Sequence, residues 1–296
     1  TTLGADNGMG VAAGMAILTS TDIPHGPVEV LITATEETGM DGANGLKPGL
    51  LNGDILLNLD SETEGELYVG CAGGIDFSAS FQYKEEAVPA GMAAFRLAIK
   101  GLKGGHSGMD INLGRGNSNK LLFRFLKTYA KELGLRIANI LGGSLRNAIP
   151  RESFATVVLP AENAEKLQAA VKEAEAIFQA ELSAKEPTLS VSAEATEMPS
   201  FVIDSCSQFR ITNAILACPN GPVRMIDSMP GTVETSNNLA IVQSKDGKII
   251  VKSLLRSSVE TAKDALAQSI RAVFELAEAD EINFEGGYPG WKPNPD

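Results

Sequence analysis

Four acidic residues stand where carboxylates can do chemistry. Asp6 lies in Leu3-Gly4-Ala5-Asp6-Asn7-Gly8-Met9-Gly10, immediately before a helix-like stretch. Glu36 and Glu37 follow an apolar run that ends at Thr35, and Asp60 ends a second run that begins at Ile55. In an open α/β sheet, ligands collect in the crevice outside the carboxyl ends of the strands. Carboxylates converging there repel one another unless a cation neutralises them. A two-metal hydrolase needs such a set. One carboxylate bridges two divalent ions, and each ion takes further oxygen or imidazole ligands. A water held between the ions turns acidic enough to attack an amide carbonyl, while a carboxylate that is not a ligand shuttles its proton. Adjacent Glu36 and Glu37 suit that division, because consecutive residues of an extended chain point in different directions. Singly, each residue has a plainer reading as a solvated loop or a helix cap. Only the combination is informative.

The elements that would position these residues are legible as two textures. Residues 10–19 are small and apolar, as expected of a helix packed on a sheet. Residues 28–35 and 54–60 read as buried strands, near-continuous in apolar and β-branched residues. Strand, helix, strand order implies a parallel sheet. From about residue 74 the pattern alternates apolar and polar, as in strands with one wet face, at 75–83 and 94–100. Helices are expected near 117–133, 161–184 and 258–278, with strands at 153–159, 239–244 and 248–255. Glu186 to Ser200 is polar and reads as a surface loop. The expected fold class is therefore α/β, with a parallel-rich sheet followed by an antiparallel-sheet-plus-helices domain.

Composition narrows the function further. The chain has 296 residues, 44% of them hydrophobic and 21% charged, which suffices for two domains with separate cores. Its 37 acidic against 25 basic residues give a net charge of −12, which disfavours a nucleic-acid partner. No run of about 18 apolar residues is present to span a bilayer. Cys71, Cys206 and Cys218 lack C-x-x-C spacing and read as reduced thiols of a cytoplasmic protein.

The segments Gly4–Gly8, Thr35-Glu36-Glu37-Thr38-Gly39-Met40-Asp41-Gly42 and Asn58-Leu59-Asp60-Ser61-Glu62 resemble the M20 metallopeptidases. Gly70-Cys71-Ala72-Gly73-Gly74-Ile75-Asp76, Gly101–Gly108, Leu145–Glu152 and Gly287-Tyr288-Pro289-Gly290-Trp291 are similar to the aminoacyl-histidine dipeptidase branch of that family. The resemblance implies a zinc-peptidase-like catalytic domain at 1–73, an α+β lid or dimerisation domain at 74–286, and a return toward the catalytic domain at 287–296. It implies Asp6 as a bridging metal ligand, with a cis peptide to Asn7, Glu37 and Asp60 as ligands of one ion each, and Glu36 as general base. His106, Asn147 and Arg256 would contact the substrate, Arg256 as a fork for its terminal carboxylate. The ions would be two divalent metals, zinc foremost, with manganese or cobalt as alternatives. The substrate would be an Xaa-His dipeptide, the subunits would form a homodimer, and a closing lid would exclude water.

The family also places a metal-binding His upstream of the bridging Asp and another near the carboxyl terminus, whereas this chain has two histidines, His25 and His106, neither in a ligand motif. With no initiator Met and a Pro-rich end, it reads as cut at both ends. As given, it is expected to bind zinc poorly and to have little peptidase activity. Two rivals share these features: an amidohydrolase of N-acyl amino acids, and a non-catalytic lid or dimerisation fragment.

Overall fold

The computed structural model describes residues 4–36, 40–61 and 64–293. They divide into two compact units, Thr1–Val69 and Gly70–Asp296.

The first unit holds helix α1 (Ala5–Thr19) and a single turn, α2 (Asp41–Asn44). Gly14 is the buried residue of α1. A Cβ there would come within 2.9 Å of the Val30 side chain, so the absent side chain lets the helix approach the 28–33 run. Here the structure departs from the sequence reading. Neither 28–35 nor 54–60 forms a ladder among the described residues, and the parallel pairing expected between them is not made. Ile55, Leu56 and Leu57 are 78–83% exposed. The physical reason is lateral. A buried strand needs hydrogen-bonding neighbours and a covered face, and one four-turn helix supplies neither to both runs. Glu29 joins them instead: its carboxylate accepts from the Asn52 backbone N–H at 2.7 Å and from Asn52 Nδ2 at 2.7 Å.

The second unit is built on one antiparallel sheet. Its strands are β1 (Gly73–Gln82), β3 (Met92–Lys100), β5 (Arg136–Gly142), β7 (Ser153–Pro160), β8 (Ser190–Ala195), β10 (Gly221–Met225), β11 (Val233–Lys245), β12 (Lys248–Ser257) and β13 (Glu281–Tyr288). The spatial order is β13-β1-β12-β11-β5-β7-β3-β8, with β10 paired to β11. Two short pairs lie apart: β2 (Glu85–Glu86) with β9 (Val202–Ile203), and β4 (Gly105–His106) with β6 (Ala148–Ile149). Asp246 and Gly247, both at positive φ, turn β11 into β12, the two-residue hairpin that an Asp-Gly pair favours.

Helices α3 (Ser118–Leu133), α4 (Ala164–Leu182), α5 (Ser205–Ala217) and α6 (Glu260–Leu276) pack on this sheet. Asn117 caps α3 by accepting the Lys120 N–H at 3.2 Å, and Gly134, at φ 66°, ends it in the left-handed conformation. Asp204 caps α5 by accepting the Ser207 N–H at 2.9 Å. The core runs continuously from α3 to α6. Phe77 lies 4.7 Å and Phe81 5.9 Å from the Phe274 ring, centroid to centroid.

The mixed α/β class is as expected, and the long strands and helices of this unit fall near their predicted places. Residues 186–200 do not. Glu186 is fully buried, and 190–195 form an edge strand whose short alternation a polar composition concealed.

Truncating Phe274 to Ala removes one ring from this cluster and should cost about 3–5 kcal/mol. Urea unfolding followed by circular dichroism would measure it; a loss under 1 kcal/mol would mean the ring is not packed as described.

Candidate active site

The carboxylates of the first unit sit on turns that glycines make possible. Gly4, at φ 73°, precedes α1, and Asp6 and Asn7 depart from helical dihedrals before the regular turns begin. The Asp6–Asn7 peptide is cis, and the Asn7 side chain accepts the Gly10 N–H at 2.8 Å. Glu36 follows Thr35, which is at φ 60°. The loop is closed by the Met40 N–H on the Thr35 carbonyl at 2.8 Å and the Gly42 N–H on the Ala34 carbonyl at 3.1 Å. Gly42 is required there, since a Cβ would stand 2.4 Å from the Ala34 nitrogen. Asp60 donates its N–H to Asn58 Oδ1 at 3.0 Å. Asp6, Glu36 and Asp60 are all exposed, and Glu37 lies outside the described residues. Among the described residues no group of three or more His, Cys, Asp or Glu is arranged to hold a metal ion. Asp6, Glu36 and Asp60 are of the hard oxygen-donor type that a divalent cation takes.

In the second unit the expected substrate contacts do come together. Arg256 lies on β12, with Gly74 of β1 on one side in register and Ser236 of β11 on the other. Gly74 leaves room for the Tyr288 ring: a Cβ at that position would fall 2.6 Å from the phenol oxygen. Arg256 Nη1 donates to that oxygen at 3.2 Å, while its Nε is buried and without a partner among the described residues. A Cβ on Gly108 would meet His106 Cε1 at 3.2 Å and Arg256 Nε at 3.4 Å. Imidazole and guanidinium thus flank one bare glycine.

The His106 loop is held from within. Its β4 pairs with β6, so that His106 faces Ala148, and the Ser107 N–H donates to the Asn147 carbonyl at 2.8 Å. Asn238, buried on β11, donates to the carbonyls of Arg146 and Ala148 and fixes the same turn. His106 Nδ1 receives the N–H groups of Gly108 and Met109, both at 3.2 Å. A ring nitrogen that accepts two donors cannot carry a proton, so the neutral ring bears its hydrogen on Nε2. Partial burial lowers the His106 pKa, the Arg256 charge lowers it further, and Asp110 opposes them. His106 is in this way a neutral donor beside a fixed cation. That pair can hold a carbonyl oxygen and a carboxylate.

Sequence reasoning assigned no role to Tyr288, although its Gly-Tyr-Pro-Gly setting is a visible signal. Nor did it single out Asp110 and Arg115, which pair at 3.1 Å inside the loop. Their spacing from His106 is informative only once the turn is known. Away from this cluster, Lys120 Nζ caps the end of α5 through the carbonyls of Ile215, Leu216 and Cys218. Burial pushes the Cys218 thiol up to about 12, with Lys120 drawing it slightly back. His25 is exposed beside Pro24, with its Nδ1 2.7 Å from the Gly26 carbonyl oxygen.

Residues 97–186 match the M20-type family model described as a peptidase dimerisation domain. The M20 resemblance carried by the motifs is thus borne out as a similarity: this segment is like a peptidase dimerisation domain. The particular relatives are dipeptidases. The chain is 45% identical over 294 residues to the cytosol non-specific dipeptidase of Escherichia coli (strain K12), matching 99% of itself and 60% of that protein. It superposes on the crystal structure of an aminoacylhistidine dipeptidase from Vibrio alginolyticus with a TM-score of 0.91 and 49% identity, over 100% of itself and 60% of that chain. It therefore spans about three-fifths of the length of these relatives.

Two outcomes follow from the site. In an NMR titration His106, assigned with a His106→Gln spectrum, should protonate below about pH 6.5, its unperturbed value, and Arg256→Gln should raise its pKa. The unfolded chain takes up the proton first, so the ring's stabilising contribution is intact above that value and is lost as pH falls through the folded pKa. A His106 that titrates above 6.5, or is indifferent to Arg256, would contradict the arrangement. Separately, a thiol reagent should label the exposed Cys71 and Cys206 in the native protein and reach Cys218 only after unfolding; rapid native labelling of all three would contradict its burial.

Proposed function

We propose that the chain is part of a metal-dependent dipeptidase whose substrates are Xaa-His dipeptides. The observation that carries the reading is the meeting of His106 and Arg256 across Gly108, a neutral donor and a cation of the types that suit the carbonyl and the carboxylate of a dipeptide. Arg256 takes the terminal carboxylate through its guanidinium, whose Nη1 is held by the Tyr288 hydroxyl. His106 donates Nε2–H to the scissile carbonyl, where negative charge develops during attack. Asn147, on the turn beside His106, lends its exposed amide to the same substrate. Glu36 is assigned the proton transfer from the attacking water to the leaving amine.

Asp6, Glu37 and Asp60 are proposed as ligands of two divalent ions, zinc first. When bound, such ions supply an acidified water and polarise a carbonyl. The domain reading is likewise proposed: a catalytic part at 1–73, a lid and dimerisation part at 74–286, and a return at 287–296. The match to a peptidase dimerisation domain supports a homodimer, and the relative described as cytosolic supports a cytoplasmic location. No helix among the described residues is long and apolar enough to cross a membrane.

The test is hydrolysis by the natural protein of a panel of Xaa-His dipeptides against N-acyl amino acids. Dipeptides should be preferred. Arg256→Ala should lower kcat/KM for them by about 30-fold or more, the loss expected when one partner of a desolvated charge pair worth about 2–5 kcal/mol is removed. Glu36→Gln should abolish turnover without loss of metal. Preference for N-acyl amino acids, or turnover untouched by Glu36→Gln, would overturn the respective assignments.

A further inference from the structure

The segment that carries His106 begins and ends on one buried carboxylate. Glu186 lies beyond the end of α4 and is fully buried. Its Oε2 accepts the Lys103 N–H at 2.8 Å, and its Oε1 accepts the Gly116 N–H at 2.8 Å. No cation pairs with it among the described residues, so both oxygens are committed to backbone. Gly116 permits this approach, because a Cβ there would stand 2.9 Å from Leu102 and 3.2 Å from Leu182. A carboxylate that accepts two N–H groups inside a protein is strongly bound, since charge-assisted hydrogen bonds gain strength where water is excluded.

Between the two clamped amides the segment is cross-braced. Arg115 donates Nη1 to the Gly104 carbonyl and pairs with Asp110, whose other oxygen accepts the His106 N–H at 2.8 Å. The Asp110 N–H returns to the His106 carbonyl at 3.0 Å. The His106 backbone is thus linked to the Gly116 end through two polar contacts, Arg115–Asp110 and Asp110–His106, and to the Lys103 end through three, the Gly104–Arg115 contact being added. The turn is anchored a second time where Thr188 donates its hydroxyl to the Gly101 carbonyl at 2.6 Å.

We propose that Glu186 is a positioning residue for His106: by holding Lys103 and Gly116 together it sets where the imidazole stands relative to Arg256. Its relevance to dipeptide hydrolysis rests on the function proposed above; the clamp itself does not. Gln in its place keeps the shape but offers one accepting oxygen and one NH2 group, which cannot take a second N–H. One end of the segment must then let go.

Amide hydrogen exchange and the His106 titration, both read by NMR, test this in the natural protein. In Glu186→Gln, the amides of Lys103 or Gly116 and of His106 to Asp110 should lose about tenfold or more of their protection, the factor that about one lost buried hydrogen bond gives. The β3 and β7 amides should stay protected, and the His106 pKa should rise as the ring moves from Arg256. Glu181→Gln, on the surface pair with Arg124, should do none of this. Uniform loss of protection across the unit would make Glu186 merely structural, and an unchanged His106 titration would uncouple it from the ring; either overturns the proposal. Should the variant not fold, the unmodified protein decides. Lys103, Gly116 and His106 to Asp110 should exchange through one common opening, and separate openings would refute the clamp. If these changes appear while dipeptide hydrolysis is unaltered, the clamp stands and the role proposed above for His106 fails.

Discussion

The site depends on a cation held still. Arg256 projects from a strand with hydrogen-bonded neighbours on both sides, so its backbone cannot drift, and Tyr288 fixes part of its fork. That arrangement demands a bare glycine at 74, where the phenol lies, and the same constraint recurs where the chain returns. Gly73 and Gly290 pass so closely that a Cβ on either would fall within 2.4 Å of the other's nitrogen. These contacts tie β1, β12 and β13 into one block. Everything proposed for substrate recognition stands on it.

A fixed guanidinium then dictates what its neighbour can be. A second positive charge beside it would be repelled, and His106 meets that condition by staying neutral. Its Nδ1 is occupied by two N–H groups of its own loop, which leaves Nε2–H as the outward donor. The loop geometry and the Arg256 charge push the ring the same way. Under the proposed function, recognition of an anionic end and polarisation of a neutral carbonyl fall to different side chains, Arg256 on β12 and His106 on its loop.

Much of this was legible in the sequence, for identifiable reasons. The amphipathic helix 118–133 and the alternating strands of the second unit announce themselves because each buries one face locally. The glycine-rich segment Gly101–Gly108 pointed to His106, because glycine is needed where backbones and side chains approach this closely, whereas Asn147 and Arg256 were named only by the family resemblance. What stayed hidden is non-local. Nothing near Glu186 says that its partners are 70 and 83 residues away, and a polar stretch concealed both its burial and the strand after it. The opposite failure occurred at 28–35 and 54–60, where correct strand composition met no lateral partner within the described residues. Composition states what a segment can bury; only its neighbours decide whether it does.

The account's central claim is that the His106–Arg256 platform reads a free terminal carboxylate. Its most direct test is titration of the protein with an Xaa-His dipeptide and with the same dipeptide amidated at its C terminus, following the Arg256 Nε and Gly108 N–H resonances. The free acid should bind at least about tenfold more tightly than the amide, a difference of about 1.4 kcal/mol, and should alone shift Arg256 Nε. Equal affinities with Arg256 Nε unmoved by either ligand would contradict it.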